Sequence, residues 1–142
     1  MTAMRLQLVP RPGQPDFLDL PWEQPLEEWH SERLAVVERG ISRHVVRFVE
    51  YDGTFYALKE INHELAHREY RLLRALANDG MPVVDAVGIV HRPDLQDILI
   101  TRHLEYSLPY RIMFARKPVA DLRDRLINAL ANLLVRLHLA GF

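Results

Sequence analysis

The chain contains no cysteine, which excludes a disulfide framework, a thiol nucleophile and a thiolate-held metal. It has no apolar run of about 18 residues, the length that marks a membrane-spanning helix. The opening Met1-Thr2-Ala3-Met4-Arg5-Leu6 lacks the apolar stretch of a secretory signal. Neither sign of charge is in excess, since 18 Lys plus Arg face 19 Asp plus Glu for a formal charge of −1. A dedicated nucleic-acid binder normally shows a basic surplus. Internal repeats and low-complexity tracts are missing too. These absences predict a soluble cytoplasmic protein with no nucleic-acid partner and no membrane span.

What is present suits one ordinary folded unit. A chain of 142 residues, 49% hydrophobic and 26% charged, can bury roughly two-thirds of its unfolded surface without a metal or disulfide staple. Residues 1–32 read as an extended arm, because Pro10, Pro12, Pro15, Pro21 and Pro25 remove amide donors and forbid regular helix. Trp22 and Trp29 in that arm predict packing onto the body, as disordered tails are poor in aromatics.

Beyond the arm the pattern is β. Leu34-Ala35-Val36-Val37 is a short apolar run, and residues 44–51 and 54–61 flank Asp52-Gly53, a strong signal for a two-residue hairpin turn. A three-stranded meander is expected there. A helix follows over about 63–78, with Leu65, Leu72, Leu73 and Leu76 predicted to share its buried face and Gly80 to cap it. Residues 83–90 and 97–102 read as two further strands, residues 107–117 as an ambiguous segment, and 119–139 as a long amphipathic helix. The expected fold class is α+β, a five-stranded antiparallel sheet with one packed helix and a long C-terminal helix. The apolar stripe of that last helix (Leu122, Leu126, Leu130, Leu133, Leu137) predicts self-association or folding back onto the arm.

Two charges stand out of place. Strand alternation puts Phe55, Ala57, Lys59 and Ile61 on one face, so Lys59 sits in an apolar row. Helical spacing puts Glu69 beside Leu65, Leu72 and Leu73. A carboxylate on an apolar face is costly unless paired, and Lys59 is the nearest upstream cation that needs a partner. The alternative is that both are ordinary solvated charges at the margins of their stripes.

The string Tyr56-Ala57-Leu58-Lys59, with a glutamate on the next helix and the order β-β-β-α-β-β, resembles the N-lobe of protein-kinase-like proteins. Arg68-Glu69-Tyr70-Arg71-Leu72-Leu73-Arg74-Ala75-Leu76 is most similar to bacterial lipopolysaccharide core (Kdo and heptose) kinases and a related bacterial family of unknown function. The resemblance implies a kinase-like lobe over residues 33–106, then a hinge-following segment and the start of a C-lobe over 107–142. It implies an ATP-dependent phosphotransferase acting on a small-molecule or glycolipid acceptor. Lys59 would hold the α- and β-phosphates and Glu69 would orient it. Ala57 would pack on the adenine, Thr101 would be the gatekeeper, and the backbones of Arg102 and Leu104 would meet the adenine edge. Gly40 and Ser42 would lie in the loop over the phosphates.

Departures from the family pattern bear on activity. Only Gly40 stands where G-x-G-x-x-G is expected, and no H-R-D-type loop or D-F-G-type metal site follows Leu137-His138-Leu139-Ala140-Gly141. Without a catalytic base and a magnesium-binding Asp, the chain is expected to be a truncated, inactive lobe. Magnesium would join ATP only with a C-lobe present. A regulatory or interaction module built on the same lobe is the alternative.

His63-Glu64-Leu65-Ala66-His67 also matches H-E-x-x-H, in which two histidines one turn apart grip zinc and the glutamate activates water. The face of His63 and His67 runs on through Arg71 and Arg74, a basic strip, and no G-x-x-H supplies a third ligand. The zinc-peptidase reading is therefore remote, and no metal ligand is expected. His91 and the other scattered histidines read as surface or satisfied residues.

Overall fold

The computed structural model describes residues 3–37, 42–104 and 109–142. Six antiparallel strands make one sheet: β1 (Arg5–Leu8), β2 (Leu34–Ala35), β3 (Val45–Tyr51), β4 (Thr54–Ile61), β5 (Ala86–His91) and β6 (Asp97–Arg102). Their spatial order is β1-β5-β6-β4-β3-β2. The helices are α1 (His63–Asn78), α2 (Tyr110–Ala115) and α3 (Ala120–Leu139), with a 3₁₀ turn at Leu26–Glu28 in the arm. No helix among the described residues is long and apolar enough to cross a membrane.

The expected hairpin is present. Asp52 and Gly53 both take positive φ (50° and 80°), the conformation that matches the twist of adjoining antiparallel strands. Helix α1 starts where Asn62 Oδ1 accepts the Leu65 amide at 2.9 Å, satisfying one of the orphan donors of its first turn. It ends at Gly80, whose φ of 74° is open to glycine without strain.

Three expectations are corrected. The sheet has six strands rather than five, because the arm supplies β1, paired with β5 from Arg5↔His91 to Leu8↔Gly88. A Cβ on Gly88 would come 2.5 Å from Leu8 Cδ2 and 2.7 Å from the Gln7 carbonyl oxygen, so the bare backbone of β5 is what lets β1 approach. The first strand of the meander stops at Ala35, and Val36 is fully exposed. On α1, Leu72 faces solvent, while Ala66 and Leu76 are buried with Glu69, Tyr70 and Leu73 half-buried between them. The packed stripe is thus turned slightly from the one that counting leucines suggests.

The sheet has two unlike faces. On the outer face the arm lays down Phe17, Leu20, Trp22, Leu26 and Trp29 against Val49, Tyr51, Tyr56, Leu58, Ile98 and Ile100, all buried. Trp22 and Trp29 are therefore packing anchors, their rings in edge contact at 5.1 Å. Each indole also donates to a carbonyl within the arm, Trp22 to Phe17 and Trp29 to Gln24. Arg92, 3% exposed, completes the attachment. Its guanidinium donates to the carbonyls of Trp22 (3.1 Å), Gln24 (2.7 Å) and Gln96 (2.8 Å) and pairs with Glu60. Glu60 in turn accepts the Leu26 amide at 2.9 Å. On the inner face α1 covers only one end, through Ile61, Ala66 and Ile89 with Leu65 and Tyr70 beside them. In α3, no side chain is buried, and Leu122, Leu126, Leu130, Leu133 and Leu137 form a half-exposed stripe. Arg136 of that helix donates to the Gly80 carbonyl at 3.0 Å.

Two outcomes follow from this packing. Gly88→Ala forces β1 to move and should cost about 1–3 kcal/mol, the usual range for overpacking, read by urea denaturation, with early exchange of the Val9 amide that donates to the Val87 carbonyl. The Arg11–Asp85 ion pair ties the arm to the loop before β5. Its hydrogen bonds and charge hold the Asp85 carboxyl below the ordinary 3.8, against burial. A depressed folded-state pKa gives stability that is present above the unfolded value and lost as pH falls through the folded value. Asp85→Asn should therefore lower the melting temperature at pH 7, and the difference from the parent chain should shrink as pH falls below 3.8.

Candidate functional site

Antiparallel register turns the inner face into two rows. Phe48, Ala57, Thr101 and Ala86 are cross-strand partners in one, and Val46, Lys59, Leu99 and Ile89 in the next. Ala57 and Thr101, both small and half-buried, leave a shallow floor beside the lysine. At its outer end Phe48 is buried and meets the His103 ring edge-on at 5.3 Å.

Lys59 and Glu69 meet over this floor. Lys59 Nζ lies 3.1 Å from each carboxylate oxygen of Glu69. The two side chains are 29% and 38% exposed, so their attraction is screened and adds at most about 1 kcal/mol. The ammonium is held at the mouth of the floor, donating to one carboxylate with hydrogen-bonding capacity left over.

The remaining expected site residues are placed as follows. Thr101 adjoins Ala57. Arg102 turns its side chain to the outer face beside Tyr56, and its amide donates to the Asp85 carbonyl at 2.9 Å. Leu104, half exposed, lies just past the end of β6. Ser42 is exposed, and its hydroxyl oxygen accepts the His44 amide at 3.2 Å. Gly40 lies outside the described residues.

A second cluster sits at the other end of the inner face, where α1 begins. Asp97, 1% exposed, is cross-strand from Ile61 and gathers several groups. His63 Nδ1 lies 2.6 Å from its Oδ2, His91 Nδ1 lies 3.0 Å from its Oδ1, and the Arg92 amide donates to Oδ1 at 3.1 Å. His67 Nε2 is 3.4 Å from Oδ2 but out of line for a hydrogen bond, and it is buried without any hydrogen-bond partner. The rings of His67 and His91 stand 4.3 and 4.6 Å from that of His63. Burial opposes ionisation of Asp97, but the Arg92 amide and the His63 and His91 imidazoles outweigh it and keep the carboxyl below its ordinary range. Burial, then the neighbouring His63, holds His67 below the usual imidazole value. At neutral pH the cluster is thus a carboxylate with a neutral His67 beside it.

Sequence reasoning weighed His63 and His67 but missed Asp97 and His91. The basic strip through Arg71 and Arg74 does not govern what the histidines face, because their rings turn toward the sheet. A signal existed: His91 and Asp97 bracket a five-residue turn, and Asp97 immediately precedes the apolar run Ile98-Leu99-Ile100.

No family model, curated protein or solved structure matches the chain.

Asp97→Ala leaves the buried Arg92 amide without its acceptor, and should cost about 1–3 kcal/mol. Chemical denaturation checks this, with Asp94→Ala on the same turn as an exposed control.

Proposed function

We propose that this chain carries the nucleotide-binding lobe of a kinase-like, ATP-dependent phosphotransferase with a small-molecule or glycolipid acceptor. One observation carries the reading: a lysine from a sheet strand and a glutamate from the helix that directly follows meet at 3.1 Å above an apolar floor. In phosphoryl-transfer enzymes of the kinase type, such a pair fixes an ammonium against the α- and β-phosphates. The element order from β2 to β6, β-β-β-α-β-β, supports the same reading.

The chemistry assigned to each residue is limited. Lys59 supplies positive charge to phosphate oxygens, and Glu69 keeps that charge from swinging into solvent. Ala57 and Thr101 offer a flat surface to a purine ring. Proton removal from an acceptor and magnesium binding need a base and an aspartate of the kind a C-lobe supplies. The single glycine in Glu38-Arg39-Gly40-Ile41-Ser42-Arg43-His44 favours a second reading, a non-catalytic module on the same lobe that binds nucleotide weakly or not at all.

Titration with a fluorescent ATP analogue separates the two. The first reading expects saturable binding that Lys59→Met abolishes and Glu69→Gln weakens less, because the lysine survives without its orienter. The melting temperature should hardly move in either variant, since an exposed pair contributes about 1 kcal/mol or less. Failure of the parent chain to bind ATP, or binding that survives Lys59→Met, overturns the reading.

A further inference from the structure

The cluster around Asp97 makes a demand that protein atoms do not meet. Three imidazoles and one buried carboxylate converge where α1 leaves the sheet, and one imidazole nitrogen, His67 Nε2, is buried with nothing to bond. Buried polar atoms in folded proteins nearly always have partners, and an orphan in a ligand-rich pocket calls for an ion or water. Ligand atoms of His63, His67 and Asp97 all lie within 4.8 Å of one another, and this is such a group among the described residues.

We propose that His63, His67 and Asp97 bind one divalent transition metal, zinc being the best fit, with His91 holding the carboxylate from behind. Two imidazoles and one carboxylate are a borderline donor set, suited to zinc or iron(II) rather than to magnesium or calcium. Ligand atoms about 2.0–2.1 Å from a tetrahedral ion stand about 3.4 Å apart. His67 Nε2 and Asp97 Oδ2 already stand at 3.4 Å, so this edge needs no rearrangement. The His63 edge, at 2.6 Å, opens by less than an ångström as the ring, 56% exposed, swings outward. His91 bonds the other carboxylate oxygen, the supporting position that orients a metal ligand.

The electrostatics agree. The guanidinium of Arg92, which follows His91 in the chain, turns to the opposite face and is neutralised there by Glu60. A hollow of about 420 Å³ lined by His67, His91, Ile89 and residues of β1 adjoins the cluster. It gives solvent a route to the fourth coordination position. Arg5 on its rim is exposed, so water screens its charge. Glu64 is exposed as well, and the site is assigned here as a clamp joining the first turn of α1 to β5 and β6, not as a peptidase. It stands independently of any nucleotide.

The test is calorimetric titration of the metal-stripped full chain with zinc chloride, with cobalt(II) absorption as a second readout. One zinc per chain is expected, with a higher melting temperature in its presence and tetrahedral cobalt bands. His63→Ala and His67→Ala should each weaken zinc binding by more than about tenfold and remove the cobalt bands. His91→Ala should weaken it by about 10–100-fold, as loss of an outer-shell partner does. Glu64→Gln should leave the affinity unchanged. If His67→Ala does not fold, His63→Ala decides, since its side chain is largely in solvent. Absence of zinc binding, or binding that His63→Ala leaves intact, overturns the proposal.

Discussion

Two consecutive charges on β4 organise the molecule. Lys59 and Glu60 point to opposite faces of the sheet, as strand geometry requires. Each finds an opposite charge there, Lys59 in Glu69 of α1 and Glu60 in Arg92. The two pairs differ in environment. Arg92 and Glu60 are 3% and 12% exposed, whereas Lys59 and Glu69 stand at the rim of solvent. A slip of one residue in the pairing of β4 would exchange both charges between faces. Lys59 would be forced beneath the arm and Glu60 would face the α1 carboxylate. Register is therefore enforced by charge as well as by the apolar rows, and the geometry of the inner face inherits that enforcement.

The parts of the structure written locally were legible in the sequence. Asp52-Gly53 specifies its own turn, Gly80 marks the end of α1, and the Lys59–Glu69 pair follows from strand alternation and helical spacing. Distance in the chain hid the rest. The pairing of β1 depends on Gly88, some 80 residues later, whose missing side chain reveals nothing in a periodicity count. Leu72 was misplaced because leucine spacing alone cannot fix where a stripe is centred. The packed stripe is set by tertiary contacts of Ala66 and Tyr70 with the sheet. Asp97 and His91 were missed for a similar reason. Each looks like a turn residue until α1 brings His63 and His67 to it.

The arm takes the place of a second layer. A sheet with one helix on part of one face leaves most of its apolar surface uncovered, and burying that surface is the main favourable term in folding. Here a proline-rich segment does the covering. Its prolines lack donors that would otherwise need partners, and several of its other polar groups are met from within, as with the two indoles, or by Arg92, Arg47 and Glu60. Arg47 reaches the carbonyls of Leu26 and Glu27 at 3.3 and 3.4 Å. The inner face is left open for other uses beside α1.

The way Arg92 grips the arm bears on how the sequence is free to drift. Its contacts there are to the carbonyl oxygens of residues 22 and 24, which every amino acid carries. Replacing Gln24 or Glu23 changes none of these bonds so long as the backbone keeps its path. Replacing Arg92 removes a donor from the carbonyls of residues 22, 24 and 96 and the counter-charge of Glu60 at once. Constraint is therefore lopsided: one position in the β5–β6 turn is held hard, while much of the segment it secures can vary. Related chains would be expected to keep an arginine at that turn and to differ widely at the arm's polar positions.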